Sequence, residues 1–231
     1  MLEVSGLSAG YGQVEVLREV DLTVGDGEIV ALVGSNGAGK TTLLRALSGL
    51  IGTTGGDVRF DGDSLTGLAA ERIVSRGIAH VPEGRHLFAG LTVRENLMAG
   101  AFAGRDGPGL DRALELFPHL KDRLGQVAGS MSGGEQQMCA IARGLMSAPK
   151  LLMIDELSLG LAPKLVEEIL ERLGEVAGQG TALLIVEQDV DAALRIAGRG
   201  YVLETGEVVS SGESAELLDD PRVREAYLGI A

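Results

Sequence analysis

Gly34-Ser35-Asn36-Gly37-Ala38-Gly39-Lys40-Thr41 joins an apolar run, Glu28-Ile29-Val30-Ala31-Leu32-Val33, to a helix-like stretch, Thr42-Leu43-Leu44-Arg45-Ala46-Leu47. Strand, glycine loop, Gly-Lys-Thr and helix, in that order, are what a phosphate cradle requires. The glycines let the backbone curl so that successive N–H groups face phosphate oxygens, and the helix N-terminus adds partial positive charge. In that frame Lys40 reaches the β- and γ-phosphates and the Thr41 hydroxyl ligates Mg²⁺. The expected ligand is a nucleoside triphosphate held by the segment from Gly34 to Thr42.

Two later segments add chemistry. Ser132-Gly133-Gly134-Glu135-Gln136-Gln137 heads an apolar-periodic stretch running towards Met146. Serine three residues before glutamate is a capping box and by itself predicts only a helix start. Two adjacent glycines weaken a first helical turn, so they point to something that must approach the backbone closely. Leu151-Leu152-Met153-Ile154 reads as a fully buried strand and ends in Asp155-Glu156. A carboxylate at that strand end, beside a phosphate loop, suits Mg²⁺, so Asp155 is assigned to the metal, directly or through water. Glu156 is assigned to the attacking water as general base.

The hexapeptide Ser132 to Gln137 resembles the signature motif of the ABC ATPase family, and the three motifs follow at that family's spacing. The resemblance covers nearly the whole chain, from about Leu2 to Gly229. It implies an α/β fold, a P-loop NTPase of the ABC nucleotide-binding type. A RecA-like core lobe with an antiparallel β part, about 1–83 and 150–231, would be interrupted by an inserted helical lobe, about 84–149. It also implies that Ser132, Gly133, Gly134, Glu135 and Gln136 serve ATP held by a partner subunit. Two chains then face each other head to tail with two ATPs between them. Tyr11 stands at the family's adenine-stacking position, where an aromatic face suits the base.

Two positions depart from the general pattern. Val81-Pro82-Glu83-Gly84-Arg85 carries Glu83 where most of the family has a glutamine that contacts Mg²⁺ and the membrane subunit. Val186-Glu187-Gln188-Asp189 carries Gln188 where most have a histidine that contacts the γ-phosphate. Glutamine keeps an amide donor and acceptor but cannot titrate like histidine. A non-hydrolysing site is set aside because Lys40, Thr41, Asp155 and Glu156 are all present. These variants, with Ser158-Leu159-Gly160-Leu161-Ala162-Pro163 and the terminal Arg224-Glu225-Ala226-Tyr227-Leu228-Gly229, resemble one group. It is the ATPase of branched-chain (hydrophobic) amino-acid importers, the second of two types, LivF. Leu157 departs from that group, where proline usually follows Asp-Glu, which bears on the local turn rather than the chemistry.

That resemblance implies a second ABC ATPase subunit (a heterodimer, with a homodimer open) and two transmembrane permease subunits. A periplasmic or extracellular substrate-binding protein is implied indirectly. Urea or amide importers use closely similar ATPases and stay open as an alternative. Soluble ABC ATPases of DNA repair or translation usually carry a coiled-coil insertion, a zinc module or tandem cassettes, and the sequence has none.

The composition narrows the classes. The 231 residues carry a formal charge of −13, with acids and bases interspersed. No Lys/Arg-rich run appears, which argues against a nucleic-acid footprint. His80, His86 and His119 lack metal-ligand spacing, and Cys139 reads as a small buried apolar residue. No run approaches the roughly 18 apolar residues of a membrane span. The first residues lack the features of a signal peptide. The expected location is therefore the cytoplasmic face of the cell (inner) membrane, reached peripherally through the permease.

The elements that must position these residues follow from periodicity. Strands are expected at Leu2 to Ser5, Val14 to Val24, Glu28 to Val33, Val58 to Gly62, Ile78 to Pro82 and Thr181 to Val186, with a hairpin around Thr205-Gly206. From about Glu83 to Lys150 the pattern turns helical. Thr92 to Glu95 has capping-box form, Leu110 to Phe117 is periodic, and Gly100 to Gly109 is a Gly-rich linker. Helices at Pro163 to Ala177 and Val190 to Ala197 restore βαβ alternation, and short helices follow to Leu228. Leu87 to Met98 is the expected docking surface for the permease, with core packing as the alternative for Leu87 and Phe88.

Overall fold

The computed structural model describes residues 1–101 and 109–224. The part of the Gly-rich linker in 102–108, and the terminal motif and helices expected beyond 224, lie outside the described residues.

Two sheets face one another across one of three apolar cores. The first has strand order β2-β1-β4-β5 and is antiparallel, built from β1 (Leu2–Tyr11), β2 (Val14–Val24), β4 (Thr53–Phe60) and β5 (Asp63–Ser64). β1 runs further than the alternation predicts. A register shift between Val4 and Leu7 resets its phase, so that Leu2, Val4, Leu7 and Ala9 all face the core. The second sheet has the order β10-β9-β3-β8-β7-β6. Its strands β3 (Ile29–Val33), β6 (Ile78–Val81), β7 (Leu151–Asp155), β8 (Ala182–Glu187) and β9 (Arg199–Glu204) run parallel, and β10 (Glu207–Glu213) closes the edge antiparallel.

The parallel strands are apolar on both faces because both faces are covered. Leu151, Met153, Ala182, Leu184 and Val186 join the antiparallel sheet and α1 (Lys40–Leu47) in one core. Their alternates Leu152, Ile154, Leu183 and Ile185 enter a second core with α3 (Val93–Gly100), α4 (Gly109–Leu116), α5 (Gly133–Leu145) and α6 (Pro163–Gly178). Ala31 and Val33 of β3 enter a third core with α7 (Val190–Ile196), α8 (Ser214–Asp219) and the short α9 (Pro221–Val223). Among the described residues no helix is long and apolar enough to cross a membrane.

One helix escapes the sequence reading. α2 (Ala70–Arg76) buries Ile73 alone, so it shows no apolar period, and it ends at Gly77 with φ +102°. Between β6 and β7 the described residues form helices and no named strand, as expected. Thr92 and Glu95 close a reciprocal capping box at the start of α3. Asn96, wholly buried on α3, donates its side-chain amide to the carbonyls of Phe88, Leu91 and Thr92 and accepts from the Phe88 N–H at 2.9 Å. Arg143 of α5 donates to the carbonyls of His86 and Arg85. The segment after β6 is thereby tied to the helices.

Candidate functional site

Parallel register carries distant chain segments to one edge. Val33 lies beside Glu187, Asp155 beside Val186, and Val81 beside Ile154. The loops after β3, β6, β7 and β8 therefore leave the carboxyl ends of neighbouring strands, where open α/β sheets bind ligands. They border a cleft of about 380 Å³ lined by Asn36, Gly37, Gly39, Lys40, Thr41, Thr42, Glu83, Glu156 and Gln188, each singled out from sequence. Val16 and Leu159 complete the lining and were not anticipated.

The loop's shape follows from Gly39. It caps α1 at φ +109°, and a Cβ there would lie 2.9 Å from the Leu17 side chain. No side chain caps this helix, so its first-turn N–H groups are available to an anion. Lys40 is buried, and its ammonium donates to the carbonyls of Gly34 (2.8 Å) and Ser35 (3.2 Å) and pairs with Glu156 at 3.3 Å. Ala38, within the loop, is buried.

Asp155 is the least satisfied group in the site. It is wholly buried, and neither carboxylate oxygen has a partner of hydrogen-bond geometry. Burial pushes its carboxyl up to about 6; the Thr41 hydroxyl beside it works against the rise, and Glu156 and Glu83 add to it. Among the described residues the Lys40 ammonium is its one cationic influence and is already paired with Glu156, so a divalent cation beside the Thr41 hydroxyl would supply the missing positive charge. Among the described residues no three His, Cys, Asp or Glu side chains cluster as a metal cage. That donor set suits Mg²⁺, which keeps several waters and uses one or two carboxylates together with phosphates.

Glu156 enters the cleft from a turn in the left-handed region, φ +48°, with its N–H donating to the Val186 carbonyl at 2.8 Å. Two residues on, Ser158 donates its N–H and hydroxyl to the buried Glu187 carboxylate, at 2.9 and 2.8 Å. Burial raises the Glu187 carboxyl above the usual range, and the Ser158 hydrogen bonds oppose that rise. The sequence reading passed over this pair. Its signal is a lone carboxylate ending an apolar strand immediately before Gln188.

Tyr11 and the signature segment do not line the cleft. Tyr11 ends β1 and is 42% exposed, and its hydroxyl accepts from Arg45 of α1 at 3.0 Å. Ser132 caps α5, and the box with Glu135 is closed in both directions. The close approach anticipated at the glycines is, for Gly134, intramolecular: a Cβ would lie 1.9 Å from a methyl of Leu165 on α6. Gln136 donates to the carbonyls of Ala128 and Met131 and accepts from Arg85. Cys139 is buried, and burial raises its thiol to about 11, as suits an inert core residue.

A second depression, about 670 Å³, lies where α2 and β6 meet α3 and α5, with Val74, Ala79, Val81, Phe88 and Arg143 in its lining. The two readings of Leu87 and Phe88 divide here. Leu87 packs against the helical core, whereas Phe88 is 54% exposed under the Arg143 guanidinium. His80, in the same lining, is held down to about 4 by burial, and its Nδ1 meets the Ser48 hydroxyl at 3.0 Å.

The chain is similar along its length to known proteins. It is 49% identical over 232 residues to the high-affinity branched-chain amino acid transport ATP-binding protein BraG of Pseudomonas aeruginosa, covering 99% of this chain and 100% of that one. It is 37% identical to the probable branched-chain amino acid transport ATP-binding protein LivF of Archaeoglobus fulgidus, covering 100% and 99%. BraF of the same Pseudomonas is 31% identical, covering 100% and 98%. Among solved structures, a nucleotide-free ATP-binding cassette from an ABC transporter superposes with a TM-score of 0.87 at 26% identity, covering 100% and 99%. A dimeric cassette in a post-hydrolysis state bound to ADP and Pi gives 0.80 at 26% identity, covering 93% and 99%. The model of the ABC transporter family matches residues 17–158, more than half of the sequence. With the phosphate loop, the orphaned Asp155 and the α5 cap inside or beside that span, the chain belongs to the ABC transporter family.

Proposed function

We propose that this chain is the ATP-hydrolysing subunit of an importer for branched-chain, hydrophobic amino acids, working through separate permease subunits. The observation that carries the substrate is the end-to-end similarity to BraG at 49% identity. The chemistry rests on the cleft, where Lys40, Thr41, Glu83, Glu156 and Gln188 meet beside the unpartnered Asp155.

ATP binds along Gly34 to Thr42, where Lys40 exchanges its carbonyl and Glu156 partners for phosphate oxygens. Thr41 and Asp155 would hold Mg²⁺, with Glu83 as a further carboxylate contact. When bound, the ion would supply charge neutralisation to the phosphates. Glu156, released from Lys40, accepts the proton of the attacking water. Gln188 orients the γ-phosphate through its amide, and Tyr11 offers a ring face to the base. Phosphoryl transfer asks mainly for such positioning and charge compensation.

One cassette is half of each site. The core lobe, about 1–83 and 150–231, holds the nucleotide, and the helical lobe, about 84–149, presents Ser132 to Gln136 to ATP on a second ATPase subunit. The existence of both BraG and BraF in one organism favours a related rather than an identical partner. A permease segment seats in the depression beside Phe88, which holds the subunit peripherally at the cytoplasmic face of the membrane.

Uptake of radiolabelled leucine, isoleucine and valine tests the reading in cells lacking the gene, restored with wild type or Lys40→Ala. Loss of uptake rescued only by wild type supports it. Unchanged uptake, in a genome without a redundant ATPase, refutes the substrate and turns the search to urea and amides.

A further inference from the structure

We propose that Glu187 is a positioning residue for hydrolysis, acting through Ser158 to hold the turn that carries Glu156 into the cleft. Glu187 ends β8, whose other five residues are all apolar, and it is 2% exposed. One of its oxygens accepts the Ser158 N–H at 2.9 Å and the other accepts the Ser158 hydroxyl at 2.8 Å. A carboxylate in such surroundings is unfavourable unless hydrogen-bonded, and an apolar residue would fill the same space without that cost. What the carboxylate adds is orientation. It grips both polar hydrogens of a residue two positions beyond Glu156, while its neighbour Gln188 faces the cleft.

Glu156 needs that grip. At φ +48° it occupies a region that non-glycine residues hold only where the surroundings over-determine it. Its own N–H is fixed to Val186, and Leu157 is buried. The Glu187 clamp fixes the turn from its far side. Without it the Glu156 carboxylate, 3.3 Å from Lys40, loses its fixed approach to the cleft. A misplacement of about 1 Å at a reacting group costs about 100-fold in rate. The inference rests on Glu156 being the general base.

The test compares ATPase kinetics of assembled transporter, and ATP affinity of the full chain, for Glu187→Ala, Ser158→Ala, the double variant and Glu187→Gln. Glu187→Ala is expected to lower kcat about 10- to 100-fold while KM and ATP affinity stay within about twofold. Ser158→Ala, which keeps the N–H bond, lowers kcat less, and the double variant is no slower than Glu187→Ala. Glu187→Gln recovers most of the rate, because its amide oxygen accepts the N–H and its amide nitrogen donates to the hydroxyl. An unchanged kcat in folded Glu187→Ala, or additive losses in the double variant, overturns the proposal. If Glu187→Ala does not fold, an unchanged kcat in Ser158→Ala overturns it alone. Glu156→Gln is measured in parallel: full turnover there defeats the base assignment itself, whatever Glu187 does.

Discussion

Asp155→Asn should gain stability on the wild type as pH rises, in the absence of metal and nucleotide. Burial lifts the Asp155 carboxyl from 3.8 to about 6 in the fold. Between those values the native state keeps a proton that the unfolded chain has released. Native stability therefore falls as pH rises through that window and levels off above about 6. The span corresponds to about 3 kcal/mol at neutral pH. Asparagine cannot ionise, so it escapes this loss. Its amide is equally short of partners and carries a cost of about 1–3 kcal/mol at every pH, which makes the slope the diagnostic rather than the offset. Urea unfolding of both proteins in a chelator, from about pH 4 to about pH 7, measures it. The difference should move towards the variant by up to about 3 kcal/mol across that range. A flat difference, or a wild type that gains as pH rises, would refute the account of Asp155 as an uncompensated buried acid. Adding Mg²⁺ with ATP should then stabilise the wild type far more than the variant.

Glu156→Gln should lower turnover by about 10²- to 10⁴-fold while ATP still binds, checked by steady-state hydrolysis and nucleotide affinity in the assembled transporter. Gln188→His should keep ATPase activity, since the remaining cleft residues are intact; loss of turnover would make the glutamine a requirement. Phe88→Ala should uncouple transport from hydrolysis with little change in melting temperature, because the residue is 54% exposed and its stacking with Arg143 is worth about 0.5–1 kcal/mol. A large drop in melting temperature would instead return Phe88 to the core. Gly134→Val should destabilise the fold by about 1–3 kcal/mol, read by thermal unfolding, because even a Cβ meets Leu165 at 1.9 Å.

Local patterns sufficed for much of this protein. Period-2 alternation and turn residues located β2 and the β9–β10 hairpin, and the capping residues Thr92 and Ser132 marked the starts of α3 and α5. The phosphate loop was legible because its chemistry is contiguous: strand, glycines, Lys40 and helix occur in one stretch of chain. The strand that ends at Asp155 was legible because an apolar run closing in two acids is itself unusual. α2 was not, since a helix that buries only Ile73 has no period to read.

What the sequence by itself determined, then, is which residue types and which local elements the chain offers to a phosphate, a metal or a water, because short stretches of chain decide both. Only the tertiary structure decided which of them meet. Parallel pairing of β3, β8, β7 and β6 brings residues 33, 187, 155 and 81 to one edge, a long-range register that no local window contains. Burial likewise needs all the neighbours at once. It left Asp155 without a partner, turned Glu187 inward onto Ser158, fitted Leu165 against Gly134, and split Leu87 from Phe88, one packed into the core and the other facing solvent.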